Sequence, residues 1–255
     1  MKKVIQNIVF IVSLLCIWWL VSKIVNKSLF LPSPVATFEV ILEMTKNGTI
    51  WKHLGSSFKR VTIGICAAAI VATPVGMLIS WNKTVNKLLN PVVSSLRYVP
   101  VTCFSPMLVL LFGIDEQMKI IFIFIAGFFS YLPTVIQTAS DPSETNEKLK
   151  ETAYTMGFSY PRMLWYGLIP YITPSLLQSF ISLYAVGWTY VIIAEVNNAT
   201  YGLGHLMYIG SARGRTATVF AAIVVIVAVS YIFDKVATTI IRHVFKWRFI
   251  EDEAE

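Results

Sequence analysis

The sequence predicts an all-α protein that crosses a membrane several times. Of its 255 residues, 56% are hydrophobic and only 14% are charged, and the mean hydropathy is +0.66. A soluble domain of this composition would expose a large apolar surface to water. Strict alternation of apolar and polar residues does not recur in strand-length pieces, which argues against a β-barrel. We therefore expect lipid to surround much of the chain.

Six apolar segments approach the length of about 20 residues that an α-helix needs to cross the hydrocarbon core. The predicted spans are Ile5–Val25, Val61–Trp81, Leu88–Ile114, Ile120–Thr138, Tyr171–Val196 and Ala217–Ile241. The first span follows MKK, as the apolar part of a signal peptide does, but no small-residue cleavage site comes after it. Because Trp18 and Trp19 are typical of an interfacial anchor, we expect this span to be retained.

An even number of spans places both termini on the same side of the membrane. By the positive-inside rule that side is the cytoplasm, although the internal segments hold eleven Lys and Arg residues and the external ones nine. The basic residues at the two ends are Lys2, Lys3, Lys235, Arg242, Lys246 and Arg248. The net charge of +7 is not interpreted as a nucleic-acid footprint, because no soluble domain carries it.

A polar stretch interrupts the apolar sequence between the fourth and fifth spans, on the predicted cytoplasmic side. Asp141 is a good N-cap and Pro142 suits the first helical position, so a helix is predicted to begin there. Leu149, Ala153 and Met156 recur at helical spacing and predict an apolar stripe. Gly157 is predicted to end this helix, since glycine adopts a positive φ without a Cβ clash.

A second short helix is predicted after this glycine, with Ser159 as its cap and Pro161 in its first turn, and Pro170 is predicted to open the fifth span. The two helices form an elbow on the membrane surface. A loop lying in the headgroup layer is the alternative, but acidic residues are disfavoured beside an anionic leaflet. A protein partner is therefore expected at the elbow.

The elbow resembles the cytoplasmic EAA loop of ABC-importer permeases, in which Glu-Ala-Ala, three residues, Gly, nine residues and Ile-x-Leu-Pro follow one another. This sequence has Glu151, Thr152 and Ala153, then Gly157, then Gly167–Pro170, with every spacing kept. Thr152 stands where the pattern has Ala, Gly167 where it has Ile and Ile169 where it has Leu. The resemblance implies that the elbow couples the chain to an ATPase subunit, through Glu151, Ala153, Gly157 and Pro170.

Other stretches resemble, in order, the permeases that import nitrate, alkanesulfonates, taurine or thiamine-precursor pyrimidines. These stretches are LFLPSPVATFEVILE, NPVVSSLRYVP with SPMLVLLFGI, GWTYVIIAEV and YGLGHLM, and the likeness covers about Leu29 to Arg248. It implies the type I ABC-importer fold, with five core spans and an extra N-terminal helix, in a bacterial inner membrane. It also implies a homodimer, two ATPase subunits inside and a substrate-binding protein outside.

The domain organisation follows from these segments. Residues 1–26 are expected to form an N-terminal transmembrane helix, 27–60 an external connection with an amphipathic segment, 61–242 the permease core and 243–255 a cytoplasmic tail, with the coupling loop at 139–170. No glycine is followed by lysine anywhere in the sequence, so the phosphate-binding P-loop is absent. We expect no cofactor and no catalytic site in this chain, and ATP and magnesium bound by the partner ATPase.

The third predicted span contains the candidate path residue Arg97. Pro91, Pro100 and Pro106 are expected to break this span, and prolines and charges at membrane depth are tolerated beside a cavity. Arg97 and Pro100 are therefore placed near the translocation path, where Arg97 can attract an anionic substrate. Alternatively, Arg97 snorkels to the surface or pairs with Glu195 or a backbone carbonyl.

Four further residues are candidates for the path or for its outer gate. Glu195 either lines the gate or caps an adjacent helix, and Gly202 and Gly204 suit a tight re-entrant turn or an ordinary loop. Trp188 shares a helical face with Tyr184 and could stack on a flat substrate, although aromatic residues at this spacing more often pack between helices.

The cysteines and histidines predict neither a disulfide nor a metal site. The cysteines lie far apart within predicted spans and are expected to be small buried apolar groups, and the histidines lie on separate elements without ligand spacing. These residues are Cys16, Cys66, Cys103, His53, His205 and His243.

An ATPase-independent secondary transporter or channel is the alternative function. Such a protein would show inverted repeats with matched broken helices and paired membrane acids, whereas this sequence has one broken segment and one candidate acid. Small anions and uncharged pyrimidines both remain open as the transported substrate.

Overall fold

The computed structural model describes residues 2–25, 30–140, 151–196 and 199–248, and these residues form helices, turns and irregular segments without a strand. The all-α prediction is therefore confirmed. The helices are α1 Lys2–Val25, α2 Pro34–Lys46, α3 Thr49–Trp81, α4 Lys83–Ser95, α5 Ser105–Phe112, α6 Glu116–Ser140, α7 at 151–155, α8 Tyr160–Met163, α9 Ile169–Val196, α10 Leu203–Ala212 and α11 Thr216–Val244.

Helices occupy all six predicted segments, and four or five of them meet the length and composition of a membrane span. Four helical segments are long and apolar enough to cross a membrane, namely α3, α6, α11 and the helix Pro161–Val196 that includes α9. A fifth candidate is a bent pair, in which Lys83–Tyr98 meets Val101–Phe112 at 82°. The apolar stretch Val9–Val25 of α1 is shorter. The polytopic fold is thus confirmed, with one span bent and one short.

The bend in the third span has a single cause. Val99 is extended because a following proline disfavours the helical region, and Pro100 is itself extended at ψ 98°. The expectation that Pro91 and Pro106 also break the span is wrong. Pro106 falls in the first turn of α5, where its missing N–H is not needed, and Pro91 lies inside α4 without interrupting it.

The chain divides into two compact units, one formed by residues 60–191 and 230–255 and the other by 1–59 and 192–229. In the unit of residues 60–191 and 230–255, α6 contacts α4 and α5 and packs closely against α3. A Cβ on Gly64 would lie 2.7 Å from the side chain of Ile123, and one on Gly76 would lie 2.6 Å from Val135. Small residues at these positions let the two helices approach, which strengthens dispersion contacts in lipid.

In the unit of residues 1–59 and 192–229, Trp18 fastens the end of α1. Its indole N–H donates to the carbonyl of Pro32 at 3.1 Å, and its ring stacks on Phe220 at 5.8 Å. The following helix, α2, begins with Ser33, whose hydroxyl accepts from the N–H of Ala36. Trp18 therefore connects the apolar helix to the segment that follows it.

The cysteines are less buried than expected. Cys16 and Cys103 are exposed on the chain and Cys66 is partly buried, and all three are free thiols. The expectation was wrong because it treated a position within a span as a position within the core. On a membrane helix, a small apolar thiol can face lipid at little cost.

We expect Gly64→Ala to destabilise the protein, because the new methyl group must displace Ile123 of α6. Overpacking of this kind costs about 1–3 kcal/mol. The matched control is Gly55→Ala in the same helix, where nothing lies within 4 Å of the new Cβ and alanine favours helix. Thermal unfolding midpoints in mild detergent would test this, and equal midpoints for the two variants would contradict the close α3–α6 contact.

Candidate functional sites

The predicted elbow contains a well-formed helix stop. Gly157 has φ +74°, the N–H of Phe158 donates to the carbonyl of Ala153 at 3.0 Å, and the N–H of Gly157 donates to Tyr154 at 2.9 Å. These two bonds form a Schellman motif, which satisfies carbonyls that the last helical turn leaves open. Ala153 is buried beneath this turn and Glu151 is exposed. The predicted helix end at Gly157 is confirmed.

The first helix of the elbow, α7, differs from its prediction at its C-terminal end. Its predicted N-terminal start lies outside the described residues. The predicted start at Asp141 and Pro142 falls in residues 141–150, which the structure does not describe. Ala153 and Met156 do not share a buried stripe, because Met156 is 68% exposed. Met156 belongs to the turn that closes the helix, where the helical spacing no longer applies.

The second helix of the elbow, after Gly157, runs directly into the fifth span and does not form a separate short helix. The short helix α8 passes through a π-helical turn, Leu164–Leu168, directly into α9. Proline inside a helix collides with the carbonyl four residues earlier, and the wider turn just before Pro170 provides room for it. Pro170 lies in the first turn of α9, as expected, although α9 is joined to the preceding helix of the elbow without a break.

The elbow presents aromatic side chains on its surface. Trp165 is 65% exposed and Tyr166 is 76% exposed, and the guanidinium of Arg162 lies 5.3 Å from the ring of Phe158. A shallow cavity of about 480 Å³ is lined by Ser159, Pro161, Arg162, Trp165 and Tyr166. Exposed aromatic residues beside an arginine are typical of protein interfaces.

Arg97 lies at the bend of the third span and lines a polar cavity of about 680 Å³. The other lining residues carry hydroxyl or amide groups, apart from one proline; they are Asn90, Ser94, Pro133, Gln137, Thr138, Ser140 and Ser175. Arg97 is thus the single charged group among the lining residues that the structure describes. Pro100, the second path candidate of this span, is exposed just beyond the bend and is not among them.

Glu195 is fully buried and caps a neighbouring helix. The hydroxyl of Ser57 donates to its two oxygens at 2.8 and 2.9 Å, and the N–H of Gly204 donates to Oε2 at 2.8 Å. The same serine accepts from the N–H of Leu203 at 2.8 Å. An anion at the start of α10 also interacts favourably with the helix dipole. Of the two roles expected for Glu195, the geometry favours the cap.

Neither of the two glycines beside this carboxylate has room for a side chain. Gly202 has φ +150°, and a Cβ there would collide with the carboxylate of Glu195. A Cβ on Gly204 would lie 2.7 Å from the carbonyl oxygen of Ile192. The predicted tight turn is therefore present at residues 199–204, and it closes around Glu195. We call the set Ser57, Glu195, Gly202, Leu203 and Gly204 the carboxylate latch.

His53 joins the carboxylate latch, which the sequence did not indicate. Its Nδ1 lies 3.1 Å from the nitrogen and 2.8 Å from the oxygen of Gly202, 149 residues away. Its ring also stacks on His205 at 6.2 Å and meets Tyr201 edge-on at 5.7 Å. No spacing rule connects residues so distant, so only the folded chain shows that these two histidines meet.

Trp188 and Tyr184 are both buried. Trp188 is 1% and Tyr184 2% exposed, the Tyr184 hydroxyl lies 2.8 Å from Thr62 Oγ1, and its ring stacks on Phe233 at 3.8 Å. Such contacts favour the packing alternative over a stacking surface for a substrate.

One family model matches residues 61–246 of this chain. Its description is "binding-protein-dependent transport system inner membrane component". The match covers more than half of the chain. The chain belongs to this family. It is a membrane-spanning permease subunit of an ABC importer in the inner membrane, and such a subunit works with an ATPase and a substrate-binding protein.

Curated relatives of this permease carry related names. It is 28% identical to the taurine transport system permease protein TauC of Escherichia coli, over 92% of this chain and 86% of that one. It is 26% identical to the putative aliphatic sulfonates transport permease protein SsuC of Bacillus subtilis, over 92% and 84%. It is also 26% identical to the formylaminopyrimidine transport permease protein ThiX of Halalkalibacterium halodurans, over 68% and 66%.

The fold also matches a solved structure. A chain from inward-facing conformations of the MetNI methionine ABC transporter superposes with a TM-score of 0.67 at 16% identity, covering 77% of this chain and 96% of that chain. This likeness confirms the type I importer fold.

We expect Ser57→Ala to destabilise the permease, because it removes the donor to Glu195 and the acceptor for the N–H of Leu203. A lost hydrogen bond to a buried charge is worth about 1.5–3 kcal/mol. The adjacent Ser56→Ala is the control, since Ser56 lies outside the latch. Thermal unfolding in mild detergent measures the difference, and a normal midpoint for Ser57→Ala would contradict the cap.

Proposed function

We propose that this permease, as a homodimer, forms the translocation path for a small anion such as a sulfonate. Two ATPase subunits dock on the elbows at the cytoplasmic side, and they alone bind ATP and magnesium. A substrate-binding protein delivers the anion from outside. In this topology both termini are cytoplasmic and the carboxylate latch lies at the outer face.

The proposed substrate class rests on the cavity around Arg97. A guanidinium presents a planar fork of donors that matches the oxygens of a sulfonate or nitrate, and the surrounding hydroxyl and amide groups can replace its hydration shell. Among the described residues, no carboxylate lines this cavity to neutralise the arginine. A neutral pyrimidine would gain less from such a site, although the ThiX relative keeps that class as the alternative.

The elbow supports the docking of an ATPase. Its aromatic surface and small cavity suit a protein partner, and the Schellman motif at Gly157 gives it a defined shape. The helix that leaves the elbow continues through the π-helical turn to Val196. A displacement of the elbow therefore acts directly on a membrane helix rather than on a loop.

Transport then follows from two-state coupling. ATP binding draws the ATPase subunits together, and the elbows that they hold move with them, which closes the inner gate and opens the outer one. Hydrolysis reverses this bias. The loaded binding protein must favour one state over the other, because a partner with equal affinity for both states shifts nothing.

We expect Gly157→Ala to weaken binding of the ATPase. An L-residue at this positive φ costs about 1–2 kcal/mol, a factor of roughly 5 to 30 if the elbow distorts to relieve it. Gly157→Pro should abolish binding and Gly157→Asn should restore much of it, because proline cannot adopt this φ and asparagine can. Co-purification of the ATPase from mild detergent measures the effect.

Gly48→Ala is the matched control for this series. Gly48 has the same φ of +74° and the same open space around a new Cβ, but it follows α2 on the proposed external side. Normal ATPase recovery with Gly157→Ala, or an equal loss with Gly48→Ala, would argue against docking at the elbow.

Arg97→Ala is expected to reduce uptake of a sulfonate by more than about tenfold, since a charge-assisted pair is worth about 1.5–3 kcal/mol. Arg97→Lys should keep part of the uptake because it keeps the charge. Uptake is measured in proteoliposomes that contain permease, ATPase and binding protein, with Lys87→Ala as a control cation of the same unit outside the cavity. Undiminished uptake by Arg97→Ala, with normal ATPase assembly, would overturn the anion path while leaving the elbow untouched.

A further inference from the structure

A large cavity lies within the unit of residues 1–59 and 192–229. Its volume is about 1110 Å³, and it is lined by the end of α1, residues 31–33, α2 and the turn before α11. Of the described residues, three with charged side chains line it, namely Lys23, Glu43 and Arg215. Ser22, Ser33, Asn47, Thr49 and Thr218 add hydroxyl and amide groups. We call this space the N-terminal chamber.

The N-terminal chamber is lined by residues typical of the membrane–water interface. The ring of Trp19 lines it, and the ammonium of Lys23 lies 4.1 Å from the centroid of that ring. A tryptophan and a lysine at the end of an apolar helix are typical of the membrane–water interface. Most of the apolar side chains between residues 9 and 25 of α1 are exposed on the chain, so hydrocarbon can reach this helix up to the chamber.

The second wall of the chamber also suits the interface. Helix α2 exposes Val35, Phe38 and Leu42 at spacings of three and four, which places them on one face. Glu39 and Glu43 on the same helix are also exposed. An amphipathic helix of this kind lies in the plane of the membrane surface with its apolar face towards the acyl chains.

The charges of the N-terminal chamber are of both signs, which selects its ligand. Two cations can bind a phosphate, and one carboxylate can bind an ammonium group. We propose that the chamber binds the zwitterionic headgroup of an aminophospholipid, with the phosphate at Lys23 and Arg215 and the ammonium at Glu43. The acyl chains then lie along the exposed apolar residues of α1.

The position of the chamber argues against a transported solute. Lys23 and Glu43 both precede residue 61, where the match to the permease family begins. The site therefore depends on the additional N-terminal helices, and the proposal does not depend on which solute the permease carries.

The test measures lipid retained by the purified complex of permease and ATPase after exhaustive detergent exchange, using native mass spectrometry. Phosphatidylethanolamine, phosphatidylglycerol and soluble glycerophosphoethanolamine are the probes. The expected result is one retained phosphatidylethanolamine per chain. Loss of one charge-assisted contact should weaken it at least about tenfold. Glu43→Gln should lose the preference for phosphatidylethanolamine over phosphatidylglycerol, whereas Lys23→Gln and Arg215→Gln should weaken the binding of both lipids.

The chain supplies close controls for these variants. Glu39→Gln removes an exposed acid from the same helix, and Arg213→Gln removes an exposed cation two residues from Arg215, and neither residue lines the chamber. Both should bind lipid like the parent protein. If Arg215→Gln fails to assemble, the comparison of lipid retention by Glu43→Gln and Glu39→Gln still tests the proposal.

Three results would overturn the proposal. The first is equal retention of phosphatidylethanolamine by Glu43→Gln and Glu39→Gln. The second is binding of soluble glycerophosphoethanolamine as tight as that of the intact lipid, which would indicate a solute site. The third is unchanged lipid binding in all the variants with weakened stimulation by the binding protein, which would make the chamber a protein docking surface.

Discussion

In hydrocarbon every backbone N–H and C=O group must find its partner within the protein, and this constraint decides where the permease can depart from a helix. The departures within its long helical segments are few and each is compensated locally. The bend at Val99 and Pro100 lies beside the polar cavity that holds Arg97. The π-helical turn Leu164–Leu168 accommodates Pro170, and the turn after α9 closes on a buried carboxylate.

The buried carboxylate of Glu195 shows how such compensation works. A charge that is fully removed from water is stable only when it is paired or hydrogen-bonded. Glu195 receives hydrogen bonds from the Ser57 hydroxyl and the Gly204 N–H, and it lies at the N-terminus of α10. The glycine at 202 follows from this arrangement, because any side chain would occupy the space of the carboxylate.

One helical segment, Pro161–Val196, connects two of these features. It begins at Pro161, within the elbow, and includes Glu195 near its end. The sequence departs from the common permease pattern at Gly167, within the π-helical turn of this segment. A wider turn at this position keeps the helix continuous past Pro170, and continuity is what a mechanical link between an ATPase and a membrane helix requires.

The sequence by itself determined the features that depend on local physics. Hydrophobic length placed the spans, the chemistry of glycine placed the end of α7 at Gly157, and the pattern around Glu151 indicated the family. Local rules misjudged Pro91 and Pro106, because the effect of a proline depends on its place within a helical turn. They also treated the three thiols as core residues, although lipid can solvate them. Only the tertiary structure decided which polar groups meet: Ser57 with Glu195 across 138 residues, His53 with Gly202 across 149, and the polar ring around Arg97. These contacts join distant segments, and their geometry follows from how the helices pack, which no short stretch of sequence encodes.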